Sequence, residues 1–150
     1  MAARSTGGSL GSLPRVEVVG ELSREALARE YAASDAFVLP SRGEGWCLPC
    51  AEAMSAALPV LATNFSGQAS FMTDENAMPI RVDRMLPNLQ AEPSKEHLRE
   101  LMRRVASRPE EARRIGLRAR ADMLERFSGP RVGETITERL REITSERERG

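Results

Sequence analysis

The sequence predicts an α/β fold, with a short parallel sheet followed by a helical C-terminal segment. Two short apolar stretches, at residues 37–39 and 59–62, are separated by a loop rich in Gly and Pro and by a run of good helix formers. Parallel strands need a crossover of this kind, so residues 37–67 are predicted to form one β-α-β unit. Strands that alternate with helices and then give way to helices favour a parallel α/β sheet.

The sequence patterns that predict the elements around this unit are weaker. A strand is predicted at residues 16–19, where the sequence VEVV stops at Gly20. Ser23 is expected to cap the next helix, because its hydroxyl can accept hydrogen bonds from free backbone amides. A further strand is predicted at residues 77–82, but Pro79 lacks an N–H and restricts this segment to a sheet edge or an irregular path. Residues 84–93 are expected to be loop.

Three helices are predicted in the last third of the chain. Ser94 is the expected N-cap of the first, whose apolar residues recur at i, i+3, i+4 and i+7. Pro109 fits the first turn of the second, followed by two glutamates that favour the positive end of a helix. The last helix follows a break at residues 128–130. We expect a disordered leader at residues 1–15, a domain at 16–128 and a C-terminal helix at 129–150.

Composition excludes several classes of function. The 22 basic residues balance the 22 acidic ones, so charge gives no reason to expect nucleic acid or an anionic membrane as partner. No apolar run approaches the roughly 20 residues needed to span a bilayer, and the N-terminus has no signal peptide. We therefore expect a cytoplasmic protein without a transmembrane segment, although its amphipathic C-terminal helices would permit peripheral contact with a membrane. The predicted strands are few for a free-standing doubly wound domain, so we expect the chain to correspond to the second part of a larger protein.

Two glutamates flank the predicted start of the central helix. Glu44 lies on the loop and Glu52 one turn inside a helix that begins near Leu48. A helix N-terminus offers free N–H groups and favours anions such as a pyrophosphate, and the flanking carboxylates can accept hydrogen bonds from sugar hydroxyls. Gly43 and Gly45 would let the backbone approach a ligand closely. The chemistry of the pattern suggests a nucleotide-sugar site, but spacing alone favours the alternative of two solvated surface charges, because Glu is mostly exposed in proteins.

The identities of the residues around the two glutamates distinguish between these two interpretations. The residues EGWCLP at 44–49, EAM at 52–54 and PVLAT at 59–63 follow a strand that ends in Pro40-Ser41. Together they resemble the motif of the family-4 (group 1) retaining glycosyltransferases, in which two glutamates are separated by seven residues. The resemblance extends over residues 16–128.

This resemblance implies a GT-B fold, in which two Rossmann-like domains bind the donor mainly through the C-terminal one. The chain is similar to most of that C-terminal domain without its first strands. The resemblance implies that Glu52 holds the ribose hydroxyls and that Glu44, the candidate catalytic residue, contacts the donor sugar. The remaining donor-binding candidates are Ser41, Gly45, Trp46, Cys47 and Leu48. The implied partner is a nucleotide sugar, which is a substrate; the pattern requires no cofactor and no metal.

The sequence departs from the family pattern in ways that bear on activity. Cys47 stands where the family usually has Gly, and its side chain could crowd the ligand. Ala57 replaces another expected Gly at the end of the central helix. The family's basic pair, which neutralises the diphosphate, lies upstream of the similar region, as does the acceptor-binding domain. A separate N-terminal domain or a partner chain would have to supply them, so we expect little or no transferase activity from these residues alone.

Two other functions stay open at this point. The sequence Trp46-Cys47-Leu48-Pro49-Cys50 also resembles the Cys-x-x-Cys motif of thioredoxin-like thiol-disulfide oxidoreductases, where a helix tip lowers the pKa of the first thiol. A binding module that retains nucleotide affinity without turnover is the other alternative. A zinc site is weaker, because two cysteines and one distant histidine fall short of four ligands.

Overall fold

The computed structural model describes residues 16–148, which belong to two compact units, Met1–Ala33 and Ser34–Gly150. In the first unit, helix α1 spans Arg24–Ala33. The Ser23 hydroxyl accepts from the Ala26 amide at 3.3 Å, as the cap prediction requires. No side chain of α1 is buried within the described residues, so this helix contributes no residue to the core.

The strand predicted at residues 16–19 is wrong. These residues have no regular secondary structure, and Val16 and Val18 are 60% and 62% exposed. An extended segment becomes a strand only when another strand pairs with it, and none of the sheets in residues 16–148 includes this segment. The predicted leader at residues 1–15 lies outside the described residues.

The second unit contains the predicted β-α-β unit. Strand β1 spans Phe37–Leu39, helix α2 spans Leu48–Ser55 and strand β2 spans Val60–Ala62. The two strands are parallel, with Phe37 opposite Val60. Helix α2 begins at the residue expected from the sequence, and its buried side chains are Cys50, Ala53 and Met54.

Residues 78–80 continue the sheet beside β2 as an irregular edge. The Met78 amide donates to the Val60 carbonyl and the Ile80 amide donates to the Ala62 carbonyl, each at 2.8 Å. Pro79, which has no N–H, lies between these two donors, so the segment pairs without forming a full strand. This is the edge or irregular geometry that the proline predicts.

The loop predicted at residues 84–93 is wrong, because an antiparallel hairpin occupies much of it. Strand β3 spans Val82–Met85 and pairs with β4, Ala91–Pro93. The turn closes where the Leu86 amide donates to the Gln90 carbonyl at 2.7 Å. The hairpin carries charged residues and two prolines, and it lacks the alternating apolar pattern by which strands are recognised.

The helical C-terminal segment is confirmed. Helices α3, α4 and α5 span Lys95–Ser107, Pro109–Phe127 and Gly129–Glu148. The Ser94 hydroxyl accepts from the His97 amide at 3.4 Å and caps α3 as predicted. A core cluster joins the sheet to these helices through Leu61, Met78, Ile80, Leu101 and Ile115.

Helix α5 leaves its apolar residues on the surface. Val132, Ile136, Leu140 and Ile143 are between 41% and 59% exposed. Across residues 16–148, none of the helices combines the length and apolar character that a bilayer crossing demands.

Candidate functional site

The ends of β1 and β2 are tied together at the carboxyl edge of the sheet, where ligands of open α/β sheets bind. The hydroxyl of Thr63, which is fully buried, donates to the Ser41 carbonyl at 2.6 Å. The Ser41 hydroxyl is itself buried and has no hydrogen-bond partner within the described part of the chain. Thr63 therefore has a structural role, and Ser41 keeps an unused hydrogen-bonding group at this edge.

The loop that carries Glu44 is held by the segment after β2. The Glu44 carbonyl accepts from the Ser66 hydroxyl at 2.7 Å and from the Gly67 amide at 2.9 Å. A Cβ atom at Gly67 would lie 2.0 Å from the Gly45 carbonyl oxygen, so no larger residue fits without moving the loop. These contacts fix the backbone of the loop and leave the half-buried Glu44 carboxylate free of a structural task in them.

The Trp46 ring packs against two phenylalanines. Its ring centroid lies 4.6 Å from that of Phe71 and 5.1 Å from that of Phe127, and the Trp46 residue remains 37% exposed. Aromatic pairs at such distances stabilise beyond the area they bury. The cluster joins the loop to α4 and limits the positions that the Gly45–Trp46 peptide can take.

Cys47 forms the transition from the loop to α2. It is the N-cap residue, with φ 68° and ψ 68° in the left-handed region, and within residues 16–148 no side-chain hydrogen bond caps the helix. Cys47 and Cys50 form a disulfide across the first turn, with Cα atoms 5.3 Å apart. Pro49 has no N–H and Cys50 is fully buried, so the tip presents the Leu48 amide to an anion.

The two glutamates lie on opposite sides of this tip along the chain. Glu52 is exposed and sits five residues into α2, about 6 Å along the axis from Leu48. Since the buried side chains of α2 come from Cys50, Ala53 and Met54, Glu52 lies outside the face that packs on the core. Glu44 thus precedes the helix tip along the chain, and Glu52 follows it on an exposed position of α2.

Arg42, the basic residue nearest to the loop in sequence, is directed elsewhere. Its guanidinium lies 3.1 Å from the Glu92 carboxylate, and its carbonyl accepts from the Ala91 amide at 2.9 Å. Arg42 thereby connects the loop to strand β4. A cation already paired with a carboxylate is a poor substitute for the basic pair that would neutralise a diphosphate.

Two cavities lie beside the sheet. One of about 280 Å³ adjoins the carboxyl end of β1, between Pro40, Arg42 and the start of α3. The other, of about 630 Å³, is lined by Ala36, Pro59 and residues of α3 and α4. Ala36 and Pro59 precede β1 and β2, so the larger cavity lies at the opposite edge from the helix tip.

Among the predicted site residues, hydrogen bonds and packing bring Ser41, Glu44, Gly45 and Trp46 into one supported loop, and Cys47 and Leu48 lead it into α2. The supporting residues Ser66, Gly67, Phe71 and Phe127 were not among the predicted site residues. The link from Ser66 to Glu44 spans 22 positions.

Comparison with known proteins defines the class. The sequence model of the family described as glycosyl transferases group 1 matches residues 8–122. The chain therefore belongs to the group 1 glycosyltransferases. Its α/β architecture, with a short parallel sheet and helices, matches part of a GT-B fold. The family match includes the Cys-x-x-Cys motif, so the thiol-disulfide oxidoreductase alternative is not favoured.

Two relatives illustrate the similarity. The chain is 42% identical over 55 residues to a GDP-mannose-dependent alpha-mannosyltransferase of Mycolicibacterium smegmatis, an alignment that covers 37% of this chain and 15% of that protein. Sucrose-phosphate synthase from Thermosynechococcus elongatus has a similar fold, with a TM-score of 0.69 at 23% identity. That similarity covers 85% of this chain and 30% of the synthase. The chain thus spans well under half the length of either relative.

Proposed function

We propose that the chain binds the nucleotide-sugar donor of a retaining glycosyltransferase at the tip of α2. The supported loop and the uncapped first turn of α2 carry this proposal. In it, the Leu48 amide and the positive end of the α2 dipole receive the diphosphate, because a helix N-terminus attracts negative charge. Glu52 accepts hydrogen bonds from the ribose hydroxyls, and Glu44 accepts them from the sugar that is transferred. The domain would extend over residues 16–128, followed by the C-terminal helix.

The chemistry of transfer follows from this arrangement. The bond from the sugar to the diphosphate breaks, and the helix tip stabilises the negative charge that develops on the leaving diphosphate. A carboxylate at Glu44 that holds the sugar hydroxyls would orient the sugar for attack by the acceptor. Retention of configuration is the outcome that membership of a retaining family implies, and it belongs to this proposal.

The acceptor has no binding group assigned among these residues. In a GT-B enzyme the acceptor is held by the other domain, and Arg42 is engaged with Glu92. We therefore expect residues 1–150 to bind donor and to transfer sugar slowly or not at all until an acceptor domain or a partner chain is added. A clear rate of sugar transfer by the purified chain alone would contradict this expectation.

The name of the mannosyltransferase relative makes guanine the first base to test. The purified chain is titrated calorimetrically with GDP, UDP and ADP, and then with GDP-mannose. We expect one nucleotide to bind and Glu52→Ala to weaken it by about 10- to 100-fold, the usual effect of losing hydrogen bonds to a charged group. Glu100→Ala, which removes an exposed glutamate from α3, is the matched control and should leave binding unchanged.

The proposed roles of Glu44 and Glu52 can be distinguished by titrating two different ligands. If Glu44 contacts only the transferred sugar, Glu44→Gln weakens binding of the nucleotide sugar and leaves the nucleoside diphosphate unaffected. Glu52→Ala should weaken both ligands equally. Failure of all three nucleotides to bind, or equal affinity in wild type and Glu52→Ala, would overturn the assignment of the donor site.

A further inference from the structure

The Cys47–Cys50 disulfide has no task in the proposed transfer chemistry, yet it closes the turn on which the donor would sit. Both residues are buried, with Cys47 3% and Cys50 0% exposed. Cys47 adopts a left-handed backbone, φ 68°, directly before the first residue of α2. The disulfide thus joins the loop to the helix at the point where the free amides begin.

We propose that this disulfide is a positioning element, which holds the tip of α2 in its anion-binding shape and makes donor affinity depend on the redox state of the two cysteines. The inference rests on the proposed function, since it concerns the same donor site. It assigns no electron transfer to the reaction that the protein catalyses.

The argument starts from the backbone of Cys47. Residues other than glycine rarely adopt a positive φ, because the Cβ atom then approaches the following carbonyl oxygen. Within residues 16–148 no side chain caps α2, so the disulfide to Cys50 is the bond that ties the Cys47 side chain to the helix. Without it, Cys47 can relax to a negative φ, which rotates the peptide that leads into Leu48 and misdirects the amides at the tip.

Reduction balances as an ordinary thiol-disulfide exchange with a dithiol. A thiolate of the dithiol attacks one sulfur, the Cys47–Cys50 bond breaks, and a mixed disulfide forms. The second thiol of the reductant then displaces the protein sulfur. Two electrons and two protons have passed to the protein, which holds two thiols, while the reductant leaves as a cyclic disulfide.

The substitution at position 47 separates positioning from mere loss of the crosslink. In Cys47→Gly/Cys50→Ala the glycine accepts a positive φ without cost, so the tip keeps its shape with no disulfide. In Cys47→Ala/Cys50→Ala the alanine has the same preference for negative φ as a reduced cysteine. The two variants lack the same bond and differ by one methyl group.

The test is calorimetric titration with GDP, and with UDP in parallel, of the oxidised chain, the dithiol-reduced chain and both variants. Thiol titration in denaturant verifies the redox state, and circular dichroism verifies folding. We expect reduction to weaken binding about tenfold, the ratio that corresponds to holding one non-glycine residue in the left-handed region. Cys47→Gly/Cys50→Ala should bind about tenfold more tightly than Cys47→Ala/Cys50→Ala, and the affinity of neither variant should change with reductant.

Equal affinities of the oxidised and reduced chains would overturn this inference and leave the donor site standing. Equal affinities of the two folded double variants would also overturn it, because the backbone at position 47 would then be irrelevant. If the oxidised wild type binds neither GDP nor UDP, ADP is titrated as well, and failure of all three nucleotides means that both the proposed function and this inference fail.

Discussion

At the scale of single residues, the site depends on backbone positions at least as much as on charged side chains. The Glu44 loop is held through its own carbonyl group by Ser66 and Gly67. The packing of Gly67 against the Gly45–Trp46 peptide leaves no room for a side chain. A residue with no functional group thus determines where the candidate carboxylate of Glu44 can lie.

Gly67→Ala is expected to displace this loop. The added Cβ would lie 2.0 Å from the Gly45 carbonyl oxygen and 2.7 Å from the Trp46 nitrogen, and these backbone atoms cannot adjust as a flexible side chain could. We expect the free energy of unfolding in urea to fall by about 2–3 kcal/mol, the range for overpacking a close-packed interior. Gly43→Ala is the matched control, because its Cβ would meet the Phe65 side chain at 3.9 Å, an ordinary van der Waals contact, and its stability should stay close to wild type.

At the scale of elements, the two ends of α2 differ in how their free backbone groups are hydrogen-bonded. Its N-terminus begins after Cys47 without a side-chain cap within the described residues, whereas its C-terminus is fully bonded. The Leu58 amide donates to the Ala53 carbonyl and the Ala57 amide to the Met54 carbonyl, each at 3.0 Å. This pair of bonds is a Schellman motif, which normally places glycine at the left-handed position.

Ala57→Gly is expected to stabilise the protein. Ala57 has φ 63°, which is strained for alanine, and glycine removes that strain while it costs some entropy in the unfolded chain. We expect a gain of about 1 kcal/mol in thermal or chemical unfolding. Ala56→Gly, at φ −81°, is the control and should destabilise instead. A loss of stability in Ala57→Gly would contradict the account of this helix end.

Helices α3 and α4 are joined by an ion pair that should respond to pH. Arg104 donates to both carboxylate oxygens of Glu111, and this hydrogen bonding holds the pKa of Glu111 below its ordinary value of 4.5. A carboxyl whose pKa is lowered by folding stabilises the fold above its unfolded pKa. That contribution disappears as the pH falls through the folded pKa.

Arg104→Gln should therefore be less stable than wild type at neutral pH, and the difference should shrink as the pH falls below 4.5. Urea unfolding across this pH range measures the difference. Arg103→Gln removes a neighbouring exposed arginine and should show no such pH-dependent gap. A gap for Arg104→Gln that is constant with pH would mean that Glu111 does not gain stability from this partner.

At the scale of the whole molecule, short-range patterns predicted most of the fold. The β-α-β unit, the start of α2 and the Ser94 cap all follow from neighbouring residues whose spacing and chemistry act locally. The hairpin of β3 and β4 was missed because pairing between charged segments, rather than apolar alternation, defines it. The strand predicted at residues 16–19 failed for the converse reason, since a suitable pattern forms no strand without a partner.

The candidate site shows the same difference between local patterns, which the sequence reveals, and long-range contacts, which it does not. Its functional residues lie in one contiguous stretch from Ser41 to Glu52, so the family motif could indicate all of them together. Their supports come from beyond β2 and from the end of α4, as the contact between Trp46 and Phe127 shows. Such contacts depend on how the chain returns to the loop, which spacing along the sequence does not encode.

The most direct test of the central claim is an NMR titration of the ¹⁵N-labelled chain with the nucleoside diphosphate that binds in calorimetry. The account predicts that the largest amide shifts occur at Gly45, Leu48 and Cys50, with Gly67 following because it packs on the loop. It also predicts that Glu52→Ala suppresses these shifts at the same nucleotide concentration. Shifts confined to the cavity at the opposite edge of the sheet, around Leu58 and Val105, would contradict it.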